Sequence, residues 1–135
     1  PWPENKDFAK KCKKKSIYFI QLLSPTTTKQ RLKKIIKDSH PMNYFISMLR
    51  TTGGKLKVSP SDILKNYNKI KKINPKKEIV IGFGITEKTI GKLKSADGLV
   101  VGSAICKEIT KSLRHRQNPV TNVSKLVKKL KNKIL

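Results

Sequence analysis

Short apolar runs alternate along this 135-residue chain with longer segments in which apolar residues recur at every third or fourth position. The short runs are rich in β-branched residues, and they predict strands at residues 17–23, 42–48, 78–83 and 99–101. The longer segments predict helices at residues 7–15, 28–39, 61–73, 86–94, 103–113 and 120–135. Because the strands are apolar almost throughout and each is followed by a helix, we expect a parallel sheet covered by helices.

Hydroxyl residues stand at several predicted helix starts, where a side-chain oxygen can accept a hydrogen bond from an unpaired backbone amide. A threonine near residue 28 is the expected cap of the second helix, Ser61 caps the third and Thr86 opens the fourth. The apolar positions give the second and third helices an inward face, formed by Leu32, Ile35, Ile36, Ile63, Leu64, Tyr67 and Ile70.

The four strand–helix units form either half of a (β/α)8 barrel or a small open α/β sheet. A complete barrel of this type needs about 250 residues, which is far more than the 135 of this chain. The sequence contains no low-complexity linker and no repeat beyond the strand–helix unit. We therefore expect one α/β segment without an internal domain boundary.

The formal net charge of +24 raises the possibility of a lysine-rich nucleic-acid-binding protein, the alternative from a different functional class. Only four of the 32 basic residues are arginine, however, and proteins that read base sequence rely on the planar arginine guanidinium. The lysines stand mostly where the predicted helices face water. We therefore expect a solvated basic surface without specific nucleic-acid recognition.

The sequence also indicates a cellular compartment. The longest apolar run is far shorter than the roughly 18 residues of a membrane span, and the first residues lack the order of a signal peptide. The two cysteines, Cys12 and Cys106, are far apart, which excludes a disulfide framework and disfavours a thiolate metal site. We expect a cytoplasmic protein with no membrane segment and no bound metal.

Glycines and small hydroxyl residues follow three of the predicted strands, as Thr52-Gly53-Gly54, Gly82-Phe83-Gly84-Ile85 and Gly102-Ser103-Ala104. The loops that follow parallel strands lie on one face of a barrel, and glycines there let backbone amides approach an anion closely. Ser103 opens a predicted helix, so its amide and hydroxyl would lie at the positive end of the helix dipole. The spacing of these loops predicts a site for a phosphate monoester.

The same motifs carry a family resemblance. Residues 81–85 (Ile-Gly-Phe-Gly-Ile) and 96–105 (Ala-Asp-Gly-Leu-Val-Val-Gly-Ser-Ala-Ile) resemble the seventh and eighth strands of tryptophan synthase alpha subunits. Residues 23–27 are similar to the turn after the fifth strand of that family. Residues 44–47, followed by Thr52-Gly53, resemble its sixth strand and mobile loop. The first four residues resemble its Asp-Leu-Pro-Pro-Glu motif, so the resemblance spans nearly the whole chain.

The resemblance implies that residues 1–135 form a single segment, the C-terminal half of a TIM barrel with family strands 5–8, and that the N-terminal half is absent. The implied activity is cleavage of indole-3-glycerol phosphate to indole and glyceraldehyde 3-phosphate in tryptophan biosynthesis. No cofactor is implied in this chain. The implied partner is the beta subunit, which carries pyridoxal phosphate in an alpha2beta2 complex. Indole-glycerol-phosphate synthase and thiamine-phosphate synthase remain alternatives within the same architecture, although they lack the pattern of residues 47–53.

The resemblance also assigns roles to individual residues. The backbone amides at Gly53, Gly84, Gly102 and Ser103 would bind the substrate phosphate, and Phe83 would lie beside it as part of the same site. Tyr44 would help to line the indole pocket. Thr52 would hold the catalytic aspartate when the mobile loop closes.

Two departures from the family pattern accompany these assignments. The proton-transferring Glu and Asp of the family lie in its first half, so no catalytic residue is expected in this segment. Most of the eight acids of the chain stand on predicted helices or before strands, at the wrong end for catalysis. In addition, Arg50 stands where the mobile loop of the family has glycine, which puts normal loop closure in doubt.

Overall fold

The computed structural model describes residues 3–39, 41–47, 58–82 and 84–135. Strands and helices alternate through these ranges, as the sequence predicts. In chain order the elements are α1 (Lys6–Lys14), β1 (Gln21–Leu23), α2 (Lys29–Asp38), β2 (Met42–Ile46), α3 (Pro60–Lys71), β3 (Glu78–Gly82), a 3-10 helix (Ile90–Leu93), β4 (Gly98–Val100), α4 (Ser103–Arg114) and α5 (Pro119–Lys131).

The four strands form one parallel sheet in the order β1-β2-β3-β4. Leu23 pairs with Phe45, Phe45 with Ile81 and Ile81 with Leu99, so these four side chains form one row across the sheet. Since neighbouring strands are consecutive in sequence, each connection carries the chain from the carboxyl end of one strand back to the amino end of the next. The predicted α/β architecture with a parallel sheet is confirmed.

The two faces of the sheet differ in burial. Successive residues of a strand point to opposite faces, and Leu23, Phe45, Ile79 and Ile81 on one face are all 0% exposed. They form one core with the buried residues of α2 and α3. On the other face, Leu22 is 61% exposed and Val100 is 39% exposed. The chain therefore covers one face of its sheet with helices and leaves part of the other face open.

The central helices match the predicted faces. Thr28 caps α2 by accepting a hydrogen bond from the Arg31 amide at 3.4 Å, and the predicted inward residues of α2 are buried. In α3 the predicted cap is wrong, because Ser59 rather than Ser61 accepts the hydrogen bond, from the Asp62 amide at 3.2 Å. Pro60 explains the difference. Its fixed φ and missing amide hydrogen suit the first helical position, which makes the preceding residue the cap.

The first strand is shorter than predicted. Residues 17–20 do not join the ladder, and Ile17 and Tyr18 are largely exposed. The neighbouring strand gives the reason. Gln21 pairs with Asn43, the second residue of β2, so residues 17–19 have no β2 residue to pair with.

The connection after β3 also differs from the prediction of a helix at residues 86–94. It forms turns followed by the 3-10 helix, and the Thr89 hydroxyl accepts a hydrogen bond from the Thr86 amide at 2.9 Å. Hydroxyl side chains that bond to nearby backbone compete with helical hydrogen bonds, and Gly91 weakens helix formation further. Smaller corrections apply later in the chain, where β4 begins and ends one residue early and α5 begins at Pro119 and ends at Lys131.

No helix in the described part of the chain combines the length and apolar content that crossing a membrane requires.

Asp97 joins three elements at the amino ends of the strands. Its carboxylate accepts hydrogen bonds from the Lys71 ammonium of α3 and the Ile79 amide of β3, each at 2.7 Å. The Asp97 amide in turn donates to the Tyr67 hydroxyl at 3.1 Å. Burial alone would raise the pKa of Asp97, but the hydrogen bonds from Lys71 and Ile79 outweigh it and hold the pKa below its ordinary value of 3.8.

We predict that Asp97→Asn lowers the free energy of unfolding at pH 7 by about 1.5–3 kcal/mol, the range for hydrogen bonds to charged groups. Because the folded-state pKa is lowered, this contribution is complete above pH 3.8 and is lost as the pH falls through the lower folded-state value. Urea unfolding at pH 7 and pH 3 measures the difference. Asp7→Asn is the matched control, since the Asp7 side chain is 90% exposed and its ion pair spans 3.8 Å. An equal loss from Asp97→Asn at both pH values would contradict the prediction.

Candidate functional site

The carboxyl ends of β3 and β4 lie side by side. Gly82, the last residue of β3, pairs with Val100, the last residue of β4. The segments that leave these strands contain Gly84 in one case and Gly102 and Ser103 in the other. The two parts of the predicted phosphate site therefore begin at neighbouring points on one edge of the sheet.

Gly84 has a backbone conformation that its residue type explains. Its φ is 69°, in the left-handed region that side chains with a Cβ rarely adopt. The residue is exposed, and its carbonyl accepts a hydrogen bond from the Thr89 hydroxyl at 3.1 Å. This geometry turns the chain sharply as it leaves β3.

Gly82 is enclosed on two sides, by Tyr44 of β2 and by Ser47, the residue that follows β2. The Gly82 carbonyl accepts hydrogen bonds from the Ser47 amide at 3.1 Å and from the Ser47 hydroxyl at 2.8 Å. On the open face of the sheet, a Cβ added to Gly82 would overlap the Tyr44 ring. Tyr44 pairs with Val80, two residues before Gly82, so its ring reaches diagonally across β3. The ring of Tyr44, which the sequence assigns to the indole pocket, therefore lies next to Gly82 at the end of β3.

Ser103 is the first residue of α4, and Gly102 occupies the cap position. Glycine has no side chain, so α4 begins without a side-chain cap, and a Cβ added to Gly102 would meet no heavy atom within 4 Å. The first turn of α4 contains no acidic residue. An uncapped helix start with open space before it presents amide hydrogens and the positive end of the helix dipole to an anion.

Two of the acids near the strands, Asp97 and Glu87, are held in ion pairs. Asp97 lies at the amino ends of the strands, away from the glycine-bearing loops. Glu87 lies in the connection after β3, where Lys129 and Lys133 of the C-terminal region approach its carboxylate at 2.8 and 3.2 Å. The hydrogen bonds from these lysines lower the pKa of Glu87. A carboxylate that is ionised and doubly paired in this way is a poor proton donor.

Metal-binding geometry is absent from the described ranges, which contain no cluster of three or more His, Cys, Asp or Glu side chains that could hold a metal ion. Cys12 is buried and Cys106 is exposed, and both are free thiols.

Some residues assigned from the sequence lie outside the described ranges, and two other residues contribute to the loop without having been assigned. Gly53, Thr52 and Phe83 lie outside the described residues, as does Arg50. The hydroxyls of Ser47 and Thr89, which have no role in the sequence prediction, both donate to carbonyls at the end of β3 and just after it. For Thr89 a signal existed, since it follows Thr86 at the three-residue spacing of local hydroxyl–backbone motifs.

The chain is similar to known proteins along its whole length. The sequence model of the family described as "Tryptophan synthase alpha chain" matches residues 1–135. The "Tryptophan synthase alpha chain" of Pelagibacter ubique is 71% identical over 134 residues, which is 99% of this chain and 51% of that protein. The corresponding protein of Aquifex aeolicus is 34% identical over 96% of this chain and 48% of its own length. The chain thus spans about half the length of the curated relatives it matches.

Solved structures agree with the sequence comparisons. A Legionella pneumophila tryptophan synthase alpha subunit superimposes with a TM-score of 0.81 over 97% of this chain and 47% of that one, at 24% identity, which concerns the fold alone. These structural neighbours are TIM barrels, so the four-stranded sheet corresponds to half of a (β/α)8 barrel rather than to a small open α/β sheet. Since the family model covers every residue and the Pelagibacter relative is 71% identical, this chain belongs to the tryptophan synthase alpha chain family.

Proposed function

We propose that residues 1–135 are the C-terminal, phosphate-binding half of a barrel that cleaves indole-3-glycerol phosphate to indole and glyceraldehyde 3-phosphate. The observation that carries the proposal is that two segments suited to bind a phosphate leave the sheet side by side. The left-handed turn at Gly84 and the uncapped start of α4 at Ser103 follow strands whose last residues are paired. In a (β/α)8 barrel the loops after the last two strands are the usual phosphate site.

The phosphate would be bound by backbone amides rather than by lysine side chains. The amides of Gly53, Gly84, Gly102 and Ser103 would contribute, and Phe83 would lie beside the phosphate. A helix start favours a dianion through its unpaired amides and its dipole, and no acid lies in the first turn of α4 to oppose this. The +24 charge of the chain would act only as a diffuse attraction that salt screens.

The indole portion of the substrate would lie along the open face of the sheet. Tyr44 is on that face, and its ring borders Gly82 at the end of β3. Leu22 and Val100 on the same face are partly exposed, and the N-terminal half of the barrel would enclose them. Thr52 would steady the catalytic aspartate supplied by that half when the mobile loop closes.

The proton transfers of the cleavage would come from the other half of the barrel. Among the described acids near the strands, Asp97 binds Lys71 and Ile79 at the opposite end, where Glu78 also begins β3. Glu87 is paired with two lysines. This chain would therefore bind and orient the substrate without carrying out acid–base chemistry itself. It needs no cofactor for that role. The indole product would pass to a beta subunit that holds pyridoxal phosphate, in an alpha2beta2 assembly in the cytoplasm.

Family membership removes indole-glycerol-phosphate synthase and thiamine-phosphate synthase as alternatives. The nucleic-acid hypothesis has only the charge in its favour. We therefore retain the prediction of no specific nucleic-acid partner.

The direct test joins the N-terminal half of the Pelagibacter ubique relative to Pro1 and measures indole release from indole-3-glycerol phosphate. We expect the chimeric barrel to turn over and the 135-residue chain alone to show no activity, since general acid–base groups contribute about 10²–10⁴-fold or more. A folded chimera without activity would contradict the proposed function. Activity of the 135-residue chain alone would contradict the assignment of the acid–base groups to the other half.

The phosphate site can be tested separately with Ser103→Asp in the same chimera. An acidic residue at the first helical position favours the helix, so thermal unfolding should change little. Binding of glycerol 3-phosphate should nevertheless fall by at least tenfold, because two anions about 4 Å apart repel by about 4 kcal/mol at an effective dielectric constant of 20. Lys128→Glu on the exposed surface of α5 is the control, and it should bind almost normally although it changes the charge by two units. Equal losses in both variants would mean that diffuse charge, and not the loops, holds the phosphate.

Because the Tyr44 ring lies against Gly82, we predict that substitutions at the two positions have non-additive effects on activity. Gly82→Ala should force the Tyr44 ring out of position in the chimera, and we expect indole release to fall by at least tenfold because the ring would enter the substrate space. Tyr44→Ala removes the ring, so the double variant should be more active than Gly82→Ala alone. Steady-state kinetics of the four proteins gives the coupling. Purely additive losses would contradict the steric explanation.

A further inference from the structure

Two buried or partly buried hydroxyls donate hydrogen bonds to carbonyls on either side of the turn that follows β3. The Ser47 hydroxyl donates to the Gly82 carbonyl at 2.8 Å, and the Thr89 hydroxyl donates to the Gly84 carbonyl at 3.1 Å. Ser47 comes from the end of β2 and Thr89 from the residue before the 3-10 helix. The turn is thus held from both sides by side chains that stand outside it.

Carbonyl orientation decides whether such a turn can bind an anion. A phosphate is attracted by amide hydrogens and repelled by carbonyl oxygens, so the carbonyls of a phosphate loop must point away from the ligand. Gly84 has the conformational freedom to present either group, because glycine crosses between positive and negative φ at little cost. The hydrogen bonds that the Gly82 and Gly84 carbonyls accept from Ser47 and Thr89 restrict the range of conformations that this turn can adopt.

We propose that Ser47 and Thr89 are positioning residues that hold the Gly82 and Gly84 carbonyls away from the bound phosphate and thereby preorganise the loop amides. This proposal rests on the proposed function, because it concerns the same phosphate site. It assigns no contact between either hydroxyl and the substrate.

The surroundings of Ser47 show why its hydroxyl holds the Gly82 carbonyl firmly. The residue is 1% exposed, so water cannot readily replace its hydroxyl as a donor. Its amide donates to the same Gly82 carbonyl at 3.1 Å, so one residue supplies two donors to one oxygen. The last carbonyl of β3 is therefore oriented by the end of β2.

Thr89 closes the other side of the turn. Its hydroxyl oxygen accepts a hydrogen bond from the Thr86 amide at 2.9 Å, while its single hydrogen is shared between the Gly84 carbonyl at 3.1 Å and the Thr86 carbonyl at 3.3 Å. The same oxygen thus links both ends of the segment from Gly84 to Thr86. Replacement of the hydroxyl by a methyl group of equal size would remove these bonds and leave the shape unchanged.

The test uses Ser47→Ala and Thr89→Val in the chimeric barrel, with binding of glycerol 3-phosphate measured by calorimetry. We expect each variant to raise the Kd about three- to tenfold, the factor for the loss of one neutral hydrogen bond. The KM for indole-3-glycerol phosphate should rise by a similar factor while kcat changes less, since the phosphate is remote from the bond that breaks. Thr89→Ser keeps the hydroxyl and should bind as the wild type does.

Two matched controls lie in α4, away from its first turn. Ser112 is 0% exposed and its hydroxyl donates to the Glu108 carbonyl at 2.8 Å, as Ser47 does to Gly82, while it also accepts from the Asn122 side-chain amide at 3.0 Å. Thr110 donates to the Cys106 carbonyl at 3.1 Å, which equals the Thr89 distance. Ser112→Ala and Thr110→Val should therefore reproduce the loss of a hydrogen bond in urea unfolding without any change in Kd.

The possible results distinguish a failure of the positioning role from a failure of the proposed function. Unchanged Kd in Ser47→Ala and Thr89→Val, with a wild-type chimera that binds glycerol 3-phosphate, would overturn the positioning role and leave the proposed function standing. A folded wild-type chimera that binds no glycerol 3-phosphate would overturn both. If Ser47→Ala does not fold, Thr89→Val and its Thr89→Ser rescue decide the question, because Thr89 is less buried.

Discussion

Parallel pairing of the four strands is the constraint on which the other features depend. Strands that run in the same direction require a crossover connection, which returns the chain to the amino end before each new strand begins. The carboxyl ends of all the strands therefore lie along one edge of the sheet, and the segments that leave them become neighbours. Gly84 and Ser103 are nineteen positions apart in sequence, yet each follows closely on one member of the Gly82–Val100 pair.

The strand positions and the inward faces of α2 and α3 were predictable because they depend on local periodicity. Leu32, Ile35 and Ile36 share a helix face whatever the rest of the chain does. The length of β1 was not predictable in this way, because it depends on where the partner strand β2 begins. The 3-10 helix was missed for a related reason, since local hydrogen bonds of Thr86 and Thr89 competed with an apolar pattern that favoured an α-helix.

The glycines and Ser103 could be singled out as site candidates because each leaves a mark in the sequence. Glycine after a buried strand indicates a turn or close approach, and a small hydroxyl residue indicates a helix start. The hydrogen bond from Ser47 to Gly82 leaves no such mark, because 35 positions separate its partners and only the pairing of β2 with β3 joins them. The same holds for the Tyr44 ring over Gly82. Residues that shape a site through the sheet require the structure, whereas residues that form its loops can be read from the sequence.

The chain also distributes its few carboxylates in a way that suits an anion site. Asp97 holds α3, β3 and the start of β4 together at the amino ends of the strands, where its charge is farthest from the loops. Glu87 lies after β3, on the side of the loops, but two lysines neutralise it. Since the first turn of α4 has no acid, no side chain of that turn reduces the positive potential of the helix start. Selectivity for a phosphate would then arise less from the large number of lysines than from the placement of the acids and the orientation of a few backbone carbonyls.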